Sequence, residues 1–221
     1  MKVIVFGATG MVGAGALIEC LEDPQVRSIL VIGRHSVGIS HPKLRELIRS
    51  DFFDYSDARA DLSGYDACFF CLGVSSVGLS ETAYTRLTYD LTLAAARAIV
   101  EVNPRLTFCY VTGAGTDSSE QGRTMWARVK GRTENALLAL PFKAAFMFRP
   151  AFIQPVKGVR SKTRWYQAIY TIVAPLSPVM LRLFPQVSTT TARLGRALIH
   201  VAAEGYPKPI LYSRDINALG A

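Results

Sequence analysis

A chain of 221 residues, half of them apolar, has the size for one sizeable core and not for two independent domains, so a single domain over 1–221 is expected. The formal charge of +8 comes from basic residues dispersed between Arg27 and Arg214 without a run of five or six, which argues for no nucleic acid partner and for small anionic molecules, with weak attraction to anionic lipid left open. Four cysteines, and an amino terminus without the regions of a secretory signal, predict a cytoplasmic protein with neither a disulfide framework nor a metal site.

Lys2-Val-Ile-Val-Phe6 reads as a buried strand, and Gly7-Ala-Thr-Gly-Met-Val-Gly13 leads from it into a helical stretch, Ala14 to Leu21, which carries Cys20. Strand, glycine turn and helix in that order form a phosphate-binding turn. A side chain at Gly7 or Gly10 would hold a pyrophosphate away from the backbone N–H groups, and the positive end of the helix dipole favours the anion. The Gly-x-x-Gly-x-x-Gly spacing differs from the familiar Gly-x-Gly-x-x-Gly, yet its place between strand and helix points to a dinucleotide.

Ser28 to Gly33 is a second strand, and Lys43 to Arg49 leads into a third, weaker one near Asp51-Phe52. Asp66 to Gly73 is a fourth, whose Cys68 and Cys71 form a C-x-x-C; residues three apart on a strand face opposite sides, so the pair reads as packing. A long helical pattern from about Glu81 to Glu101 precedes a fifth strand, Leu106 to Val111, which holds Cys109. Then come a helix from Met125 to Leu140, a strand from Ala144 to Phe148 and the turn Arg149-Pro150. Trp165 to Phe184 is a long apolar stretch broken by Pro175 and Pro178, followed by a helix from about Thr190 to Glu204 and a short strand, Ile210 to Tyr212.

Alternating apolar strands and helices predict an α/β fold, a doubly wound parallel sheet of Rossmann type. Residues 1–150 would form the dinucleotide-binding core, and 151–221 a small C-terminal substrate-side or interaction region. Ligands of such sheets lie beyond the carboxyl ends of the strands, where Gly7, Gly33, Asp51, Gly73 and Thr112 fall. The second strand ends in Gly33-Arg34-His35 without the carboxylate that accepts hydrogen bonds from a ribose. A guanidinium can instead grip a 2′-phosphate, so NADP(H) is preferred over NAD(H), the alternative being an ordinary surface arginine.

Gly7 to Gly13, Asp51-Phe52, Cys71-Leu-Gly73, Val111-Thr-Gly113, Lys130-Gly131 and Arg149-Pro150 together resemble the extended or atypical short-chain dehydrogenase/reductase superfamily over roughly residues 1–155. Val129-Lys-Gly-Arg-Thr-Glu134 is similar to the small branch holding the Tat-interacting short-chain-dehydrogenase-like proteins. The resemblance implies cofactor contacts from Gly7, Thr9, Gly10, Met11, Val12 and Gly13, from Asp51 to the adenine amino group with Phe52 alongside, the alternative being that Asp51 only caps a turn, and from Cys71, Leu72, Gly73 and Pro150. It also implies that Lys130 binds the nicotinamide ribose as the lysine of a Tyr-x-x-x-Lys pair. Trp126 stands in the tyrosine's place, and an indole N–H donates a hydrogen bond but does not serve as a proton acid near neutral pH. The catalytic Ser/Thr position falls nearest Thr112, which either bonds substrate or a cofactor amide or satisfies a backbone group at the strand end.

Trp126 reads as a pocket wall or as packing, and Tyr84, Tyr110 and Tyr166 are the alternative phenols. Phe152, Trp165 and the stretch to Phe184 would wall an apolar substrate site, favouring a small hydrophobic molecule. The same stretch is compatible with a pocket lid, a subunit contact in a homodimer, or peripheral membrane contact. Three functions follow: an NADP(H)-dependent oxidoreductase on a hydrophobic carbonyl or quinone-like substrate, a catalytically silent NADP(H)-responsive binding module, or a Rossmann-like subunit without nucleotide.

Overall fold

The computed structural model describes residues 1–159 and 186–221. Its first strand, β1 (Lys2–Phe6), is a run of large apolar residues in which Val3 to Phe6 are fully buried, each side chain contributing about 1.5–3 kcal/mol. Around it lie β2 (Ser28–Gly33), β3 (Leu44–Ile48), β4 (Ala67–Phe70), β5 (Thr107–Val111), β6 (Ala144–Arg149) and β9 (Ile210–Tyr212). Among the described residues these form one parallel sheet in the order β3-β2-β1-β4-β5-β6-β9. The expected doubly wound sheet is the observed one.

Alternation along the strands sorts the core into two layers. Val3 and Val5 face α1 (Met11–Glu22) and α6 (Thr191–Glu204), while Ile4 and Phe6 face α4 (Leu91–Val102). An aromatic row, Phe6 to Phe70 at 4.8 Å and Phe70 to Phe108 at 5.9 Å, runs across the sheet within the second layer. Cys68 lies in that layer and Cys71 packs on the other, so the C-x-x-C straddles the sheet. Helix α6 approaches α1 closely because both carry glycine at the crossing: a Cβ on Gly15 would fall 2.5 Å from the Thr191 side chain, and one on Gly195 would fall 2.7 Å from Glu19.

The expected long helix spans the right residues with an interruption. It begins as α3 (Glu81–Thr85), widens into a π-turn over Arg86–Asp90, and continues as α4. Helix α5 (Met125–Leu138) covers the same sheet face, and a short 3₁₀ turn (Ser56–Ala58) and α2 (Arg59–Leu62) join β3 to β4. Two features absent from the sequence reading are a ladder between β7 (Phe152–Gln154) and β8 (Ser188–Thr190), and the closing helix α7 (Ser213–Leu219). Trp165, Tyr166 and the stretch to Phe184 lie outside the described residues. Among those described, no helix is long and apolar enough to cross a membrane.

Candidate active site

After β1 the chain turns at Gly7, with φ +76°, close under the end of β4; a Cβ there would stand 2.7 Å from the Cys71 carbonyl group. Gly13 allows α1 to start directly on this turn, since its Cβ would lie 2.2 Å from the Gly7 oxygen. Gly10 caps α1 in ordinary extended geometry, φ −90° and ψ 165°, and a Cβ there would stand 3.3 Å from the Gly7 carbonyl oxygen. The helix start has no side-chain cap and no acidic residue in its first turn. Its leading amides, Met11, Val12 and Gly13, therefore lack an intrahelical acceptor and sit at the positive end of a twelve-residue dipole. That cradle fits paired phosphates.

Beside the turn opens a cleft of about 250 Å³. Strand ends supply Gly7, Thr9, Gly33, Arg34, Phe52, Leu72 and Gly73, as expected from the sequence, and His35, Ser50, Phe53 and Val74 join them. The π-turn adds Leu87, with Leu91 next to it, from the far side. An adenosine fits such a mixed slot, with the exposed Arg34 at its rim. Arg49 shapes the Phe52-Phe53 wall by donating to the Asp51 and Asp54 carbonyls, pairing with Asp57 at 3.1 Å and stacking 4.5 Å from the Tyr55 ring centre. A second cavity, about 400 Å³, shares Ala8 and Thr9 with the cleft and runs along α1 between Ser36 and Lys157.

Three of the expected site residues have partners within the fold. Asp51 Oδ1 accepts from the Phe53 N–H at 2.7 Å, so this residue caps the turn that carries the aromatic wall. Cys71 contributes backbone to the turn, while its side chain packs on the apolar layer under α1. Burial pushes its thiol up to about 12 and raises Cys20, Cys68 and Cys109 further, which keeps all four protonated near neutral pH. Thr112 has its hydroxyl proton engaged within the fold. Its Oγ1 lies 2.6 Å from Glu134 and 3.2 Å from the Phe148 carbonyl oxygen, acceptors that share its single proton.

Lys130 occupies α5 with Trp126 one turn earlier, the indole centre 5.9 Å from its Nζ. The ammonium donates to the Thr112 carbonyl oxygen at 2.9 Å, which leaves two of its three protons for a ligand. Burial lowers its pKa, and the Glu134 charge pushes the other way. Trp126 is half-buried, its ring edge against Gly115 of the loop after β5, where a Cβ would stand 3.2 Å away. Pro150 is buried and its carbonyl accepts from the Ala114 N–H at 2.8 Å, holding that loop beside β6. Phe152 begins β7 and is half-buried.

Of the alternative phenols, two lie in the core. Tyr84 and Tyr110 are buried, and burial raises both pKa values; Tyr166 falls outside the described residues. What sequence reasoning missed is the charged pair behind Lys130. Glu134, fully buried, receives the Arg149 guanidinium, whose Nε lies 3.1 Å from both carboxylate oxygens. The available signal was spacing: Glu134 follows Lys130 by four residues, on the same helical face.

No family model matches the chain. It is 24% identical over 225 residues to the mitochondrial protein fmp52-2 of Aspergillus oryzae, an alignment covering 98% of this chain and 95% of that one. The mitochondrial FMP52 of Meyerozyma guilliermondii is 22% identical over 92% of this chain and 86% of its own. These relatives overturn the expectation of a cytoplasmic protein, because they are named as mitochondrial proteins. Among solved structures, the Bordetella bronchiseptica enzyme WbmF in complex with NADH superposes with a TM-score of 0.68 at 17% identity, over 98% of this chain and 75% of that one. The Helicobacter pylori ADP-L-glycero-D-manno-heptose-6-epimerase superposes with a TM-score of 0.67 at 13% identity, over 96% and 74%. The chain thus shares the doubly wound α/β fold of these two enzymes, a parallel seven-stranded sheet covered by helices.

Proposed function

We propose that the protein is an NADP(H)-dependent oxidoreductase whose substrate is a small, apolar, quinone-like carbonyl compound. The observation that carries the cofactor reading is the uncapped glycine turn opening into a cleft with Arg34 at its rim and no carboxylate at the end of β2. Gly7 to Gly13 would seat the pyrophosphate, Phe52, Phe53 and Leu87 the adenine, Arg34 the 2′-phosphate, and Lys130 the nicotinamide ribose. The cofactor supplies a hydride when bound.

Trp126 selects the substrate class. Hydride addition to an isolated ketone leaves an alkoxide, which needs a positioned acid, and Trp126 stands where the resemblance would put that acid. Hydride addition to a quinone leaves a phenolate, the conjugate base of an acid with pKa about 10, which takes its proton from water without help. The balance is NADPH plus quinone plus one proton giving NADP⁺ and hydroquinone. The names of the relatives extend the proposal to a mitochondrial setting.

The test is to mix purified protein with NADPH and follow its thermal shift, then add quinones, aldehydes and ketones while recording nicotinamide absorbance. Turnover with quinones and not with simple ketones is expected. Binding without any turnover favours the second reading, a catalytically silent NADP(H)-responsive module, which the indole at position 126 supports. No shift at saturating nucleotide rejects both.

A further inference from the structure

Behind Lys130 the structure holds a set of buried polar groups that make no direct approach to the cleft. Thr112, the last residue before the loop that follows β5, is gripped at both ends: its carbonyl oxygen accepts from Lys130 at 2.9 Å and its hydroxyl donates toward Glu134 at 2.6 Å. Glu134 is completely buried, and a carboxylate in that position is tolerable only if its charge is met. Arg149 meets it from the end of β6, and is itself held by Ser118 Oγ at 2.5 Å and by the Tyr212 hydroxyl at 3.3 Å. Burial works against the Arg149 cation, and Glu134 outweighs that cost, so the guanidinium's pKa stands above its ordinary value.

We propose that Glu134 and Arg149 are positioning residues for cofactor binding: through the Thr112 hydroxyl they fix the carbonyl that orients the Lys130 ammonium. The geometry explains why two charges are buried where apolar side chains would pack at least as well. A hydrogen bond to a carboxylate is stronger and more directional than one to a neutral acceptor, so Thr112 is held in one rotamer and the 112–113 peptide in one plane. An ammonium on a flexible stem, tied at that plane, presents its remaining protons in a constant direction. Cutting the tie leaves Lys130 in place and lets its head group wander, which costs affinity for the part of the cofactor it touches.

The inference rests on Lys130 binding the nicotinamide ribose, and the experiment separates the two. Dissociation constants are measured for NADPH and for 2′,5′-ADP, which has the adenosine half and no nicotinamide ribose. The variants are Lys130→Met, Thr112→Val, Thr112→Ser and Glu134→Gln. Thr112→Val removes the link without removing a charge, so it keeps the test alive if Glu134→Gln does not fold. Lys130→Met, Thr112→Val and Glu134→Gln are each expected to weaken NADPH by about tenfold while 2′,5′-ADP stays within twofold, and Thr112→Ser is expected to restore NADPH affinity. Losses of equal size for both ligands would mean a merely structural role and overturn the proposal. Should Lys130→Met alone weaken NADPH, the ribose contact stands and the positioning pair falls; should Lys130→Met change nothing, both fall.

Discussion

Gly131→Ala sets two rules against each other. Gly131 lies inside α5 directly after Lys130, and replacing an interior helical glycine by alanine ordinarily stabilises a helix by about 1 kcal/mol. Here the new Cβ would stand 1.7 Å from the Asp117 carbonyl oxygen and 2.5 Å from its carbon. A carbon–oxygen contact needs about 3.3 Å, so the loop would have to retreat by roughly 1.6 Å. Its backbone is tied to α5 by Asp117 N–H donating to the Ala127 carbonyl at 3.1 Å and by Asn135 donating to the Ser118 carbonyl at 3.0 Å. Overpacking costs about 1–3 kcal/mol and a strained backbone hydrogen bond about 1 more. Against the helical gain, the net loss is about 2 kcal/mol, or a Tm lower by about 4–8 °C for a chain of this size. Urea unfolding followed by circular dichroism, paired with a thermal melt, reads both quantities. A variant as stable as the parent, or more so, would refute the close approach of loop 113–124 to α5 and with it the placement of Trp126 against Gly115.

The remaining predictions address the ligand. Arg34→Ala should weaken NADPH by about tenfold to a hundredfold, the equivalent of about 1.5–3 kcal/mol in charge-assisted hydrogen bonds, with NADH little changed; equal losses in calorimetric titrations would remove the phosphate-gripping role. Trp126→Tyr places a phenol one turn before Lys130 and should confer reduction of simple ketones, since a positioned acid contributes about 10²–10⁴ in rate; a folded, NADPH-binding variant without that gain would show that position 126 is not beside the reacting carbonyl. Burial lowers the Lys130 pKa below its ordinary 10.5. Between the lowered value and 10.5 the unfolded chain therefore holds more protons, and the stability of the wild type relative to Lys130→Met should rise with pH across that alkaline window. A pH-independent difference would contradict a buried ammonium.

Most of the framework was readable because strand and helix differ in period and because β1, β2, β4 and β5 are buried on both faces, which leaves near-continuous apolar runs. The phosphate turn was readable for a related reason: Gly7 and Gly13 are each required by a backbone contact that permits no side chain. Asp51 and Thr112 were harder. Their neighbours in sequence were right for a ligand site, but a short polar side chain can bond to its own turn or to a distant helix, and only the fold shows which partner arrives first. Glu134 and Arg149 come from different elements, so their union depends on how α5 lies on β6. The π-turn has no composition of its own; Leu87 reaches the cleft because one residue is accommodated in excess of an α-helical turn.

Three rungs join β7 to β8, from Phe152 beside Ser188 to Gln154 beside Thr190. They bring the two ends of the intervening thirty-three residues, 155–187, to neighbouring points on a scaffold that is otherwise complete. Because the two strands run parallel, Gln154 and Ser188 stand at opposite ends of the ladder, about 7 Å apart along the strand direction. Each short strand thus holds the other in place, and a change that breaks the hydrogen bonds of one releases both.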